Sequence, residues 1–199
     1  MLEARPLGSL KVSVIGLGCN NFGKRLDQDA TTAVVHAALD AGINFFDTAD
    51  IYGETRSEVF LGQALGARRK DVIVATKFGL KLDEQRPGGA APAYLRRALE
   101  ESLRRLGTDY VDLYQLHRPD PSVPIAETLD ALNELVRAGK VRELGSSNFS
   151  AEQIREADAR AADGAARFVS VQNEYSLLER SVERGVLAEI AQRLSLIHI

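Results

Sequence analysis

Six times in succession this chain sets a short apolar run before an amphipathic stretch, and few folds accept that pattern. The apolar runs fall at 14–18, 44–46, 72–77, 111–117, 141–146 and 168–174. The third, Val72-Ile73-Val74-Ala75-Thr76-Lys77, is continuous rather than alternating, as in a strand covered on both faces. Between the runs the period changes. Ala30, Val34, Ala37, Ala38 and Ala41 recur at helical spacing with Gly42 just beyond, and Pro92 opens a helix whose face is Leu95, Ala98, Leu99, Ser102, Leu103 and Leu106. Ser150 and Gln153 have the spacing of a capping box. Each helix returns the chain so that the next strand runs parallel to the last, which predicts an α/β fold. An open doubly wound sheet and a barrel both fit. The candidate functional residues follow at least five different strands, and a barrel brings all such ends to one mouth, so the barrel is favoured.

Composition narrows the partners. A formal net charge of −3 provides no general attraction to nucleic acid or to an anionic membrane. One cysteine, Cys19, excludes an intramolecular disulfide and suits a reducing compartment, so the cytoplasm is the expected location. No apolar run approaches the ~20 residues that span a bilayer. Arg68-Arg69-Lys70, Arg96-Arg97 and Arg104-Arg105 read as solvated faces, and Asp50 as a loop acid. Gly16, Gly18 and Gly23 are spaced GxGxxxxG and open no helix, which is not the dinucleotide fingerprint.

Chemistry gathers at strand ends. Asp47, Lys77 and His117 each close an apolar run, and Tyr52 lies in the loop just past Asp47. A lysine ending a buried strand needs a counter-charge, and Asp47 is the natural one. A tyrosine beside that cation has its phenolate stabilised, which suits a general acid giving its proton to a carbonyl oxygen as hydride arrives at carbon. His117 would donate a hydrogen bond to the same oxygen. Singly, each of these residues has an ordinary structural explanation. Together, at strand ends, they favour a catalytic reading, and most of its weight comes from a family resemblance.

Asp47-Thr48-Ala49-Asp50-Ile51-Tyr52-Gly53, the strand end Ala75-Thr76-Lys77, Asp112-Leu113-Tyr114-Gln115-Leu116-His117 and Gly145-Ser146-Ser147-Asn148-Phe149 resemble, in this order, the aldo-keto reductase family. The resemblance implies a (β/α)8 TIM barrel that binds NADPH, with NADH the alternative, and reduces aldehydes or ketones without a metal. It implies Tyr52 as proton donor, Asp47 and Lys77 as its electrostatic support, and His117 as the residue that positions the carbonyl. Ser147, Asn148 and Gln172 match the residues that hold the nicotinamide carboxamide. The hairpin at 7–13, turning at Gly8-Ser9, resembles the plug under such a barrel, and Cys19-Asn20 is expected at its mouth.

A barrel of this type takes ~250 residues and eight strand-helix units. The expectation here is therefore one domain over 1–199 that stops after the sixth unit, with 195–199 unlike the family's continuation. A regulatory or redox-sensing subunit sharing the fold, an inactive fragment, and an aldolase using Lys77 as a Schiff base are the competing readings.

Overall fold

The computed structural model describes residues 2–161, 165–193 and 195–198. A hairpin of β1 (Ala4–Leu7) and β2 (Leu10–Ser13) leads into β3 (Leu17–Gly18), α1 (Gln28–Asp40), β4 (Phe45–Asp47), α2 (Arg56–Leu65), β5 (Ile73–Phe78) and α3 (Pro92–Leu106). There follow β6 (Val111–Leu116), α4 (Ile125–Arg137), β7 (Val141–Ser147), α5 (Ala151–Arg160), β8 (Phe168–Asn173), α6 (Val186–Arg193) and β9 (Ser195–His198).

Strands β3 to β9 lie side by side in chain order in a seven-stranded sheet, each pair of neighbours parallel. A doubly wound sheet reverses its order at a switch point, and this one never does. Every strand end that carries a candidate residue therefore opens on one side of the molecule. Two differences from the sequence reading concern the ends of the sheet. The first strand shrinks to two residues because Ser13 is claimed by Asn44, whose side chain takes the Ser13 amide at 2.7 Å, leaving Val14 and Ile15 exposed. A seventh strand is added: Ser195–His198 pair with β8, Ser170 facing Ser195 and Asn173 facing His198. Ile199, read with that last segment, lies outside the described residues.

The sheet has two cores because strand side chains alternate between faces. Outward, Phe46, Val74, Tyr114, Leu116 and Leu144 pack under helix residues such as Leu61, Leu95, Leu99 and Leu132. Inward, Phe45, Ile73, Ala75 and Leu113 meet Leu7, Leu10 and Val12 of the hairpin. The hairpin thus closes the inner face from below, and its turn is tied down by Glu143 of β7, whose carboxylate accepts from the Ser9 amide at 2.6 Å. Two residues further along each strand the inner face becomes polar. Lys77 follows Ala75, Gln115 follows Leu113 and Asp47 follows Phe45, all of them buried.

The arginine clusters are not all solvated faces. Arg69 is buried against Asp112, with its Nη1 2.9 Å from the carboxylate and its guanidinium stacked over Tyr110. Arg105 pairs at 2.7 Å with Glu58, a fully buried acid on α2. Helical spacing marks which positions face outward from one helix, and these partners come from other elements. Among the described residues, no helix is long and apolar enough to cross a membrane.

Candidate active site

At the carboxyl end of the sheet an ion pair sits almost sealed from water. Lys77 is fully buried, and its Nζ donates to Asp47 Oδ2 at 2.7 Å, to the Thr48 carbonyl at 2.9 Å and to the Tyr52 hydroxyl at 3.4 Å. Three donated bonds use all three protons of the ammonium. Burial works against the charge on Lys77, but the negative charge of Asp47, and that available at Tyr52, outweighs it and holds the lysine above its ordinary range. Asp47 is clamped further by two neutral amides: Gln115 Nε2 reaches Oδ1 at 3.2 Å and Gln172 Nε2 reaches Oδ2 at 3.1 Å.

Tyr52 is held over this pair by a tight loop. The Lys77 ammonium also lies 4.9 Å from the centre of the Tyr52 ring. Gly53, Glu54 and Thr55 all take positive φ, a conformation that glycine adopts freely and threonine does not. A side chain at Gly53 would place its Cβ 2.3 Å from the Phe22 carbonyl, so the loop after β3 presses directly on the tyrosine's loop. Below it, Thr48 and Ser57 share a hydrogen bond, and Ser57 donates to the Cys19 carbonyl, both at 2.8 Å.

His117 faces Tyr52 edge to face, with the ring centres 5.8 Å apart. Burial, then the positive charges of Lys77 and Arg118, push its imidazole down to about 3, so the ring is neutral near pH 7 and has one N–H to donate. Asn148 connects this corner to the next strand. Its side chain donates to the His117 carbonyl at 2.9 Å and to Ser147 Oγ at 3.1 Å, while its own amide reaches the Gln172 carbonyl at 3.0 Å. Asn148 has φ +60, which asparagine tolerates better than most residues. Ser147 Oγ donates to the Gln172 carbonyl at 2.8 Å, and Gln172 Oε1 is buried without a partner among the described residues.

All seven residues singled out in the sequence, Asp47, Tyr52, Lys77, His117, Ser147, Asn148 and Gln172, are thus joined in one network. Three expectations change. Cys19 does not line the mouth: it is fully buried, donates to the Leu17 carbonyl, and belongs to the core between sheet and helices. Burial, with the Asp47 charge next, raises its thiol far above the ordinary range. Asp50 is not a solvated loop acid, since it is 6% exposed and desolvation, with the Glu58 charge next, raises its carboxyl to about 7. Lys77, held charged by Asp47, is unsuited to the neutral amine that a Schiff base requires. The residue that sequence reasoning overlooked is Gln115. Its signal was present: a polar side chain inside an apolar strand, on the inward face two positions before His117.

Residues 14–197 match the Aldo/keto reductase family. The chain is 41% identical over 185 residues to aldo-keto reductase YhdN of Bacillus subtilis, covering 89% of this chain and 54% of that protein. It is 36% identical over 187 residues to the uncharacterized oxidoreductase YqkF of the same organism, covering 92% of this chain and 59% of that one. Among solved structures, the holo form of aldo-keto reductase AKR11C1 from Bacillus halodurans superposes with a TM-score of 0.89 at 36% identity, covering 100% of this chain and 66% of that one. The chain therefore spans just over half the length of the curated relatives it matches.

Proposed function

This chain belongs to the aldo/keto reductase family, and from that premise we propose that the protein reduces an aldehyde or ketone to an alcohol, with Tyr52 giving the proton. The observation that carries the reading is the Lys77 ammonium held between the Asp47 carboxylate and the Tyr52 hydroxyl in a buried site. Reduced nicotinamide dinucleotide, NADPH with NADH as the alternative, supplies the hydride when bound. The chain's own residues do the rest. Tyr52 transfers its hydroxyl proton to the carbonyl oxygen as negative charge develops there, and Lys77 stabilises the phenolate left behind. Asp47 keeps Lys77 charged without competing for the substrate. His117, neutral, donates its N–H to the carbonyl oxygen and fixes its direction.

The proposed cofactor-binding trio suits a carboxamide. Among the described residues Gln172 Oε1 is a buried acceptor with no partner, which an amide NH2 would satisfy, and Ser147 and Asn148 are bonded to the Gln172 main-chain carbonyl. The substrate is proposed only as a small carbonyl compound.

The test is NADPH consumption by the full chain with activated aromatic aldehydes, beside Tyr52→Phe. The wild type is expected to turn over, and the variant to lose at least about a hundredfold in kcat, the lower range of general acid catalysis. Full activity in Tyr52→Phe would remove the proton-donor assignment. Tight NADPH binding with no turnover of any carbonyl compound would favour the regulatory-subunit reading instead.

A further inference from the structure

Resting on the reductase reading, we propose that Gln115 is a positioning residue of this site, its amide holding the Asp47 carboxylate in register with Lys77, and that Gly145 gives it the room to do so. Gln115 lies on β6 directly across the sheet from Lys77 on β5. It is fully buried, and its Nε2 meets Asp47 Oδ1 while Lys77 takes Oδ2. The terminal torsion of an aspartate is soft, with a broad two-fold preference, so donors on one oxygen alone leave the other free to swing. A donor on each oxygen stops it. Among the described residues Oδ2 has Lys77 and Gln172, whereas Oδ1 has Gln115 alone. The choice of an amide has a chemical logic: it orients a carboxylate without neutralising it, so the full negative charge remains for Lys77. An arginine or lysine in its place would compete for that charge.

Gly145 stands opposite Gln115 on β7. A Cβ there would come 3.0 Å from Gln115 Cγ and 2.7 Å from Ser170 Oγ. Its φ is not positive, so alanine suits the backbone and would act through these two neighbours. Among the described residues neither neighbour is braced elsewhere, because Gln115 Oε1 and Ser170 Oγ are both buried without partners there. The aim of Gln115 is therefore set by Asp47 on one side and by the bare Gly145 beneath it.

The experiment compares Gln115→Met, Gly145→Ala and the double variant in the full chain. Gln115→Met is expected to lower kcat by about ten- to a hundredfold, the cost of a small misplacement of catalytic groups, with KM little changed. The alkaline limb of its kcat profile moves to lower pH, because a loosely paired Lys77 gives up its proton sooner; the other groups around Lys77, namely Tyr52, His117 and Cys19, are unaltered. Gly145→Ala shifts both quantities in the same direction, and the double variant is no worse than the more severe single, since both act on one bond. A second readout needs no turnover: the Gln115 side-chain amide resonances move in Asp47→Asn and stay in Tyr52→Phe. Unchanged kcat and an unmoved alkaline limb in Gln115→Met would overturn the proposal, as would a lower thermal midpoint with the limb in place. A wild type that turns over no carbonyl compound would sink the reductase reading alone, and the amide resonances would then decide whether Gln115 holds Asp47.

Discussion

Asp50 shows how strongly burial governs single residues at this site. It is two positions before the proposed proton donor, its amide donates to the Lys77 carbonyl at 3.1 Å, and among the described residues one oxygen of its carboxyl is buried without a partner. With a folded value of about 7 against an ordinary carboxylate value, the native state holds a proton that the unfolded chain releases near pH 4. The contribution to stability is complete below about pH 4 and is lost as pH rises toward 7, because the unfolded chain is then the better acid. Asp50→Asn removes that slope. Its stability relative to wild type is expected to grow between pH 4 and 7, by at most about 4 kcal/mol, in urea denaturation followed across that range. A difference that stays flat with pH would mean that Asp50 ionises freely in the folded protein. No local pattern betrayed this residue, since its charge is set by burial in the fold and then by Glu58 and Arg105, which arrive from α2 and α3. Lys77 and Asp47 were readable because an apolar strand ending in a lysine announces its own need for an acid.

Among the elements, those built from neighbours in sequence were the readable ones. The capping box of α5 is an example: Ser150 Oγ accepts from the Gln153 amide at 3.2 Å, and the Gln153 side chain accepts from the Ser150 amide at 2.9 Å. Ser150→Ala is expected to cost about 1 kcal/mol and Ser150→Gly only a few tenths, measurable by chemical denaturation. Equal losses in both would show that the cap geometry is not what holds the helix start. The same logic explains what stayed hidden. Asp112 receives Arg69 at 2.9 Å, Arg142 at 2.8 Å and the Val74 amide at 2.9 Å, from three separate elements. Its position inside the apolar strand β6 gave no sign of the partners that make its burial tolerable. Gln115 stayed hidden for the same reason, as its partner Asp47 is 68 residues away.

For the molecule as a whole, the alternation of strand and helix announced an α/β fold and the spread of candidate residues over strand ends favoured a barrel, while the unreversed order of the strands was seen only in the structure. That order distributes stability unevenly. Every residue of β5 and β6 is buried, and both strands have paired neighbours on each side, whereas β1 is exposed along most of its length. Hydrogen exchange is expected to be slowest for Val74, Thr76 and Leu113, through global unfolding, and markedly faster in the β1–β2 hairpin, through local opening. Equal protection in the two regions would show that the hairpin and the sheet open as one cooperative unit. With that outcome the site is built on the part of the molecule that opens last, while Tyr52 comes from a loop.

On the proposed function, the close approach of Gly53 to the Phe22 carbonyl bears on how such a protein would acquire new substrates. Phe22 belongs to the turn after β3, closed by the Gly23 amide on the Leu26 carbonyl at 2.9 Å, and that turn is part of the rim at the carboxyl end of the sheet. An insertion or a larger side chain placed there to reshape the rim would lever against the backbone beneath Tyr52. On the proposed function, substrate scope on this side would be mechanically geared to proton delivery by Tyr52. Laboratory evolution aimed at this turn should therefore recover paired changes, one in 22–26 and one in 53–55, more often than isolated ones.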